Sequence, residues 1–361
     1  MKYFERVQKD GHEQVSFFHD PGTGLKAIIA IHNTALGPAL GGTRMWNYAS
    51  EDEALEDVLR LSRGMTYKAA AAGLRLGGGK AVIIGNPKTD KTEALFRAFG
   101  KCVNSLGGRY ITAEDVGTSV KDMEFVSEET AHVTGVDESK GGGGDPSPLT
   151  AFGTLQGIKA SVKHKMKRDD LRGLTVAVQG VGHVGWHLSD LLKKEGAKVI
   201  VSDIDFAACQ RAERELKIDG IVNPDEIYGV QCDVFAPCAL GAIINDQTLP
   251  QLKCQIVAGA ANNQLATERH GVEIERRGIA YAPDYVINAG GLMNVYVELE
   301  GYSPERAYRI CSGIYNNVAQ VFQISDRQGI PTYQAADALV EQRLATASGL
   351  APRFNTFHRG R

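Results

Sequence analysis

Apolar positions along this chain change period several times. Short runs such as Leu25-Lys26-Ala27-Ile28-Ile29-Ala30-Ile31 and Ala81-Val82-Ile83-Ile84 read as buried strands, and between them apolar residues recur every three or four positions, as helices require. Ser50 and Glu53 form a capping-box pattern ahead of Ala54, Leu55, Val58, Leu61 and Met65, and Lys68 continues that apolar stripe. A second helix is predicted from near Asp90, with Glu93 three residues on, carrying Leu95, Phe96, Phe99, Val103 and Leu106 until Gly107 and Gly108 stop it. The strand predicted over 109–113 then delivers Glu114 and Asp115 at its carboxyl end, where open α/β sheets place ligands.

Four glycines and two prolines within residues 141–148 interrupt this pattern and predict a hinge or cleft edge. Beyond them a helix is predicted from about Thr150, and strands over 174–179, 198–201, 233–236, 255–258 and 279–282 alternate with amphipathic helices. That alternation predicts a parallel sheet with helices on both faces. From about Thr332, Ala335, Ala336, Leu339, Val340 and Leu344 recur at helical spacing and predict a segment that packs back onto the first domain, ahead of a polar, loosely ordered tail from Gly349 to Arg361. The fold class is therefore α/β with two domains, a length of 361 residues exceeding what one core usually organises. The first domain spans 1–135 with 332–361, the second is a doubly wound domain over 136–331, and a cleft is expected between them.

Composition narrows the partners. Hydrophobic content of 43% and charged content of 23% are ordinary for a soluble globular protein, and a net charge of −3 without a long basic run gives no reason to expect nucleic acid or an anionic membrane. The start Met1-Lys2-Tyr3-Phe4-Glu5-Arg6 lacks the apolar segment of a signal peptide, no stretch reaches membrane-spanning length, and a cytoplasmic protein is expected. Six cysteines without a C-x-x-C pair read as reduced, mostly structural thiols.

Gly180-Val181-Gly182-His183-Val184-Gly185 follows a predicted strand, opens a predicted helix, and is followed by Asp203 and Ile204 at the end of the next strand. Together these contexts predict a dinucleotide site, the glycines admitting a pyrophosphate to a helix N-terminus. Asp203 would accept hydrogen bonds from the adenosine ribose and repel a 2′-phosphate, which favours NAD over NADP; Arg211 downstream leaves NADP open.

A nicotinamide enzyme needs a group to polarise or deprotonate the carbon that gives up hydride. Two lysines twelve residues apart, Lys68 and Lys80, stand in nearly uncharged surroundings, the second after Gly77-Gly78-Gly79. With Asp115 they suit an amino acid: one cation holds the α-carboxylate and a neutral amine acts as base. If the ammonium groups lie about 6 Å apart at an effective dielectric near 20, their repulsion is roughly 2.8 kcal/mol, or about two pKa units. Two snorkelling lysines beside a flexible glycine turn are the structural alternative.

Six blocks carry a resemblance over nearly the whole chain, in order: Gly37-Pro38-Ala39-Leu40-Gly41-Gly42-Thr43-Arg44, Gly64-Met65-Thr66-Tyr67-Lys68, Gly77-Gly78-Gly79-Lys80, Thr112-Ala113-Glu114-Asp115-Val116-Gly117, Ala258-Gly259-Ala260-Ala261-Asn262-Asn263-Gln264 and Pro283-Asp284-Tyr285-Val286-Ile287-Asn288-Ala289-Gly290-Gly291. The chain resembles the glutamate/leucine/phenylalanine/valine dehydrogenase family, and its branched-chain members most closely. The resemblance implies reversible oxidative deamination of an L-amino acid to its 2-oxo acid and ammonia with reduction of NAD, in a homo-oligomer of two to eight subunits, with substrate binding and oligomerisation on the first domain. No metal is expected.

By the same resemblance, Lys80 is the base that activates water, Asp115 relays protons to and from the substrate nitrogen, and Lys68 binds the substrate carboxylate, with Gly41, Gly42 and Met65 nearby. Asn262 would sit where nicotinamide and that carboxylate meet; Ser147, Thr150, Cys238, Ala239, Ala260 and Asn288 would border the cofactor. Backbone capping in a loop is the structural alternative for Asn262 and, more strongly, for Asn288. Leu40, Ala113, Leu292 and Val295 would line an aliphatic pocket, or belong to ordinary core. Glutamate dehydrogenases carry lysine where this chain has Leu40, so a substrate's second carboxylate would be buried without a partner. Leu292 stands where valine is usual, His183 where asparagine is common, and Arg75 is another small departure. A phenylalanine or tryptophan dehydrogenase remains open, since Ala113 and Gly41 give an aromatic ring room, as do a hydroxy-acid dehydrogenase and a non-catalytic NAD-binding regulator. Because base and hydride acceptor fall on different domains, closure on binding is expected.

Overall fold

The computed structural model describes residues 3–349, so the expected polar tail lies, beyond Gly349, outside the described residues. The chain forms two compact units: the first runs to Gly144 and takes in Val295–Pro304 and the chain from Val340 on, and the second comprises Asp145–Asn294 and Glu305–Leu339.

In the first unit helix α1 (Tyr3–Lys9) precedes strands β1 (Gln14–Asp20), β2 (Leu25–Asn33), β3 (Ala39–Leu40) and β4 (Thr43–Trp46), helix α2 (Glu51–Ala71), β5 (Gly77–Ile84), α3 (Glu93–Ser105), β6 (Tyr110–Ile111) and α4 (Val120–Ser127). The mixed sheet runs β1-β2-β5-β3-β6; β3 pairs with Gly77 and Gly78 of β5, and β4 with Ala81 to Ile84. Lys80 therefore falls between the two short partners, at the step made by Gly41 and Gly42. β1, unmarked by the apolar pattern, is an edge strand with no fully buried residue.

Ser50 caps α2 by accepting from Glu53 N at 3.1 Å, but the Glu53 carboxylate accepts from Ala49 N instead of completing the box at Ser50. Asp90 does not cap α3; it accepts from Asn86 N in a turn, and Thr92 takes the cap by accepting from Leu95 N. The glycines of β5 are explained by neighbouring backbone: a Cβ on Gly77 would lie 2.0 Å from Asn33 O, and one on Gly78 2.0 Å from Thr66 N. This close approach shifts the buried line of α2 to Leu55, Leu59, Ser62, Thr66 and Ala70, leaving Leu61, Met65 and Lys68 half-buried on its flank.

The segment ahead of the second unit is not loose. Glu298, buried, accepts from Gly135 N and Gly143 N at 2.9 Å each, and a Cβ on Gly142 would fall 1.7 Å from Val136 O.

The second unit holds α5 (Ser147–Met166), β7 (Thr175–Gln179), α6 (His183–Lys194), β8 (Lys198–Ser202), α7 (Phe206–Leu216), β9 (Gly220–Ile221), β10 (Val234–Pro237), β11 (Ile256–Val257), α8 (Glu268–Arg276), β12 (Ala280–Tyr281), α9 (Asp284–Ile287), α10 (Gly290–Glu298), α11 (Pro304–Ser312), α12 (Ile314–Gln328) and α13 (Thr332–Ser348). Helices α10 and α13 each start in this unit and end in the first. Its sheet is parallel throughout, in the order β9-β8-β7-β10-β11-β12. That is the doubly wound dinucleotide-binding order, with the reversal of strand order between β7 and β10. At the far end of α13, Arg343 donates to Ala70 O and Ala71 O, satisfying carbonyls at the end of α2.

Candidate active site

Asp115 is positioned by a turn anchored to β4. Its backbone N–H donates to Thr118 Oγ1, and that hydroxyl donates to Thr43 O at 2.8 Å. Gly117 adopts φ +81 there, and a Cβ would stand 2.0 Å from Met45 O, so only glycine lets the turn lie so close. Lys80 projects from β5 with a side chain 6% exposed, and its Nζ lies 2.8 Å from Asp115 Oδ2. Arg44 of β4 reaches the same oxygen through Nε at 3.1 Å and grips Asp57 Oδ2 through Nη1 at 2.9 Å. Tyr48 OH donates to that Asp57 oxygen as well.

Burial holds the Lys80 ammonium below the ordinary lysine range against the pull of Asp115. Arg44 also disfavours the charge on Lys80, a contribution that sequence reading had not assigned to it. For Asp115, burial alone would raise the carboxyl, but Lys80 and then Arg44 hold it below the usual carboxylate range. The pair is thus an ion pair in which the lysine's charge is expensive to keep, the property wanted of an amine that gives up its proton near neutral pH.

Around the pair, Gly41 would meet Gly79 O at 1.8 Å and Met65 Cγ at 3.3 Å if it carried a Cβ, and Gly42 would meet Glu114 O at 2.3 Å. Gly41 therefore packs against β5 and Met65, and Gly42 against the backbone that carries Asp115. Lys68 is half-buried on the last turn of α2. Leu40 and Ala113 are buried in the same unit, at 2% and 7% exposure. Leu292 is buried in the second unit, whereas Val295 belongs to the first and is half-buried.

In the second unit the three glycines of the loop after β7 do three different things. Gly180 adopts φ +95 in the tight turn, where a Cβ would crowd Ala239; one on Gly185 would fall 1.9 Å from Gly180 O, so α6 packs directly on the strand end; one on Gly182 would meet nothing within 4 Å. Open space at the middle glycine, at the start of α6, is what an approaching pyrophosphate needs. Asp203 accepts from Val181 N at 2.6 Å and Asp205 N at 2.9 Å, which ties the carboxylate to the loop, and Ile204 beside it is 94% exposed. Arg211 stacks on the Trp186 ring, its Cζ 4.3 Å from the centroid. His183 and Val184 open α6, the His183 ring exposed and 4.0 Å from Asp145.

After β10, Cys238 and Ala239 lie against the loop, and burial pushes the Cys238 thiol up to about 12. Asn288, buried, donates through Nδ2 to Ala260 O at 3.1 Å and Asn262 Oδ1 at 2.7 Å, while its Oδ1 has no partner among the described residues. Asn288 thus holds Asn262, whose side chain is exposed, and keeps one buried acceptor in reserve. Ser147 starts α5 and is buried; Thr150 donates to Pro146 O, and its Oγ1 would stand 3.3 Å from a Cβ on Gly291. These residues fit a dinucleotide. No cluster suited to a metal ion occurs among the described residues, and no helix among them is long and apolar enough to cross a membrane.

Arg44, Tyr48 and Asp57 were not marked as functional by sequence, although Arg44 lies in a conspicuous glycine-rich block.

With this geometry in place, comparison with known proteins is specific. Residues 12–132 match the dimerisation-domain model of the Glu/Leu/Phe/Val dehydrogenases, and residues 206–349 match the glutamate/leucine/phenylalanine/valine dehydrogenase model. A leucine dehydrogenase of Thermoactinomyces intermedius is 58% identical over 95% of this chain and 94% of its own, and a phenylalanine dehydrogenase of Bacillus thermotolerans 49% identical over 98% and 93%. The crystal structure of L-tryptophan dehydrogenase from Nostoc punctiforme superposes with a TM-score of 0.88 at 46% identity, over 96% of this chain and 99% of that one. The chain belongs to the glutamate/leucine/phenylalanine/valine dehydrogenase family.

Proposed function

We propose that this chain catalyses the reversible NAD-dependent oxidative deamination of branched-chain L-amino acids, leucine foremost, with isoleucine and valine also accepted, to the 2-oxo acid and ammonia. The observation that carries this reading is the buried Lys80 ammonium 2.8 Å from Asp115, a lysine poised to act as a base. Bound NAD supplies the hydride acceptor. Lys80 takes a proton from the water that adds to the substrate's oxidised carbon, Asp115 moves protons to and from the nitrogen, and Lys68 holds the α-carboxylate. Asn262, steadied by Asn288, orients nicotinamide and substrate together, while the open edge at Gly182 receives the pyrophosphate and Asp203 the ribose hydroxyls.

The leucine preference is supported by 58% identity with leucine dehydrogenases against 50% with an L-tryptophan dehydrogenase and 49% with a phenylalanine dehydrogenase. Buried Leu40 favours an uncharged side chain, since an acidic one would lose water without gaining a partner. We place the protein in the cytoplasm as a homo-oligomer; six unpaired cysteines suit a reducing compartment.

The test is ammonia-dependent NADH consumption with 4-methyl-2-oxopentanoate, 3-methyl-2-oxobutanoate, phenylpyruvate, indolepyruvate and 2-oxoglutarate. Highest kcat/KM for the branched acids supports the reading. Preference for an aromatic acid keeps the mechanism and overturns the substrate; consumption without ammonia overturns both.

A further inference from the structure

We infer that Arg44 is a positioning residue for this reaction: its guanidinium, shared between Asp115 and Asp57, competes with Lys80 for a single carboxylate oxygen and so keeps the lysine ready to release its proton. The inference rests on the reading of Lys80 as the base.

An isolated buried lysine–aspartate pair works against such a base, because the carboxylate stabilises the ammonium it faces. Here the same Asp115 Oδ2 receives Lys80 Nζ at 2.8 Å and Arg44 Nε at 3.1 Å. Arginine stays charged at every working pH, so part of that carboxylate's charge is permanently engaged elsewhere. The planar fork matters as well: one side chain holds Asp115 through Nε and Asp57 through Nη1, which ties Asp115 to helix α2. A lysine in its place has one ammonium and no such fork.

Asp115, Arg44 and Asp57 act on Lys80 directly, and the elements around β5 carry further charged and titratable groups. Asp115 and Glu114 follow β6, Arg44 lies on β4 with Tyr48 after it, Tyr110 lies on β6, and α2 contributes Asp57, Arg60 and Lys68. Asp57 is itself held by Tyr48 OH at 2.8 Å and Arg60 Nη2 at 2.8 Å. Removing charge on the two sides of Arg44 should therefore move Lys80 in opposite directions. Loss of the guanidinium leaves Asp115 wholly to the lysine and favours the ammonium, whereas loss of the Asp57 charge leaves the guanidinium less compensated and disfavours it.

The test uses Arg44→Gln, Arg44→Lys and Asp57→Asn in the full chain. Acetic anhydride labels only neutral amines, so the pH dependence of Lys80 acetylation, read by mass spectrometry without substrate, reports its ionisation. The pH profile of kcat/KM for deamination is measured beside it. In Arg44→Gln both midpoints should rise by about one pH unit, so that kcat/KM on the acid limb falls about tenfold and recovers as the pH is raised. Arg44→Lys should hold the labelling midpoint near that of the parent, and Asp57→Asn should lower it. A folded Arg44→Gln variant whose midpoints do not move, with activity lost evenly at all pH, overturns the inference. If that variant does not fold, an unmoved or raised midpoint in Asp57→Asn overturns it. Labelling shifts as expected in a chain that turns over no amino acid would support the hold of Arg44 on the ionisation of Lys80 and overturn the proposed function, and with it the part of Arg44 in that reaction.

Discussion

Asn288 Nδ2 lies 2.7 Å from Asn262 Oδ1 and 3.1 Å from Ala260 O, so one buried amide ties together two points of the loop after β11. A carboxylate at this position has no N–H to donate. Asn288→Asp is predicted to release Asn262 and to cost about 1–3 kcal/mol for the acceptors left behind. NADH affinity, read by fluorescence titration, should fall with it; unchanged affinity in a folded variant would remove Asn262 and Asn288 from the cofactor site.

Gly182 and Gly185 separate binding from folding. A methyl on Gly182 meets nothing within 4 Å, whereas one on Gly185 falls 1.9 Å from Gly180 O. Gly182→Ala should keep the melting temperature and lose NADH affinity by about tenfold or more, the methyl taking the space of a phosphate. Gly185→Ala should lower the melting temperature itself. Equal loss of stability in both would contradict the division.

Gly78→Ala tests the seat of Lys68. The added carbon would stand 2.0 Å from Thr66 N, which is backbone and cannot swing away, so α2 must shift at a cost of about 1–3 kcal/mol or more. The turn that moves carries Met65 and Lys68. KM for the oxo acid should rise more than kcat falls, with a lower melting temperature; an unchanged melting temperature would show that the helix is not seated as described.

His12 and His32 form a buried pair with ring centroids 4.8 Å apart, His32 bonded to Thr66 Oγ1 and Asp10 O. Burial, and then its neighbour His12, lower His32 to about 4. Above pH 6.5 both folded and unfolded forms are neutral, so this residue contributes no pH dependence there. As the pH falls from 6.5 towards 4 the unfolded chain takes up the proton first, and stability is lost by about 3 kcal/mol in all. Denaturant unfolding at pH 7 and pH 4.5 should show the loss, and His32→Gln should reduce it; an equal loss in both proteins would assign the acid sensitivity elsewhere.

Much of this was legible in the sequence because it is local. The glycine loop, its flanking strand and helix, and Asp203 at the end of the next strand follow from short-range pattern, and the sheet order agrees with them. Lys80 and Asp115 could be singled out by the apolar strand around one and the strand end carrying the other. What could not be read depends on three-dimensional approach. Arg44 joins Asp57, 13 positions away, to Asp115, 71 positions away, and neither spacing has a periodic signature. Glu298 reaches Gly135 across 163 positions. The burial line of α2 moved by part of a turn because Thr66 seats against glycine, a packing fact that periodicity averages away. The edge strand β1 escaped notice because neither of its faces is fully buried.

If Lys80 acts in the chemical step and not in holding the cofactor, turnover and NADH binding must separate when it is removed. Lys80→Ala, measured for turnover with NADH, ammonia and 4-methyl-2-oxopentanoate and for NADH binding by fluorescence, tests it most directly. The expected result is a loss of about a thousandfold in kcat with NADH affinity within about twofold of the parent. Turnover within about tenfold of the parent in the variant would contradict it.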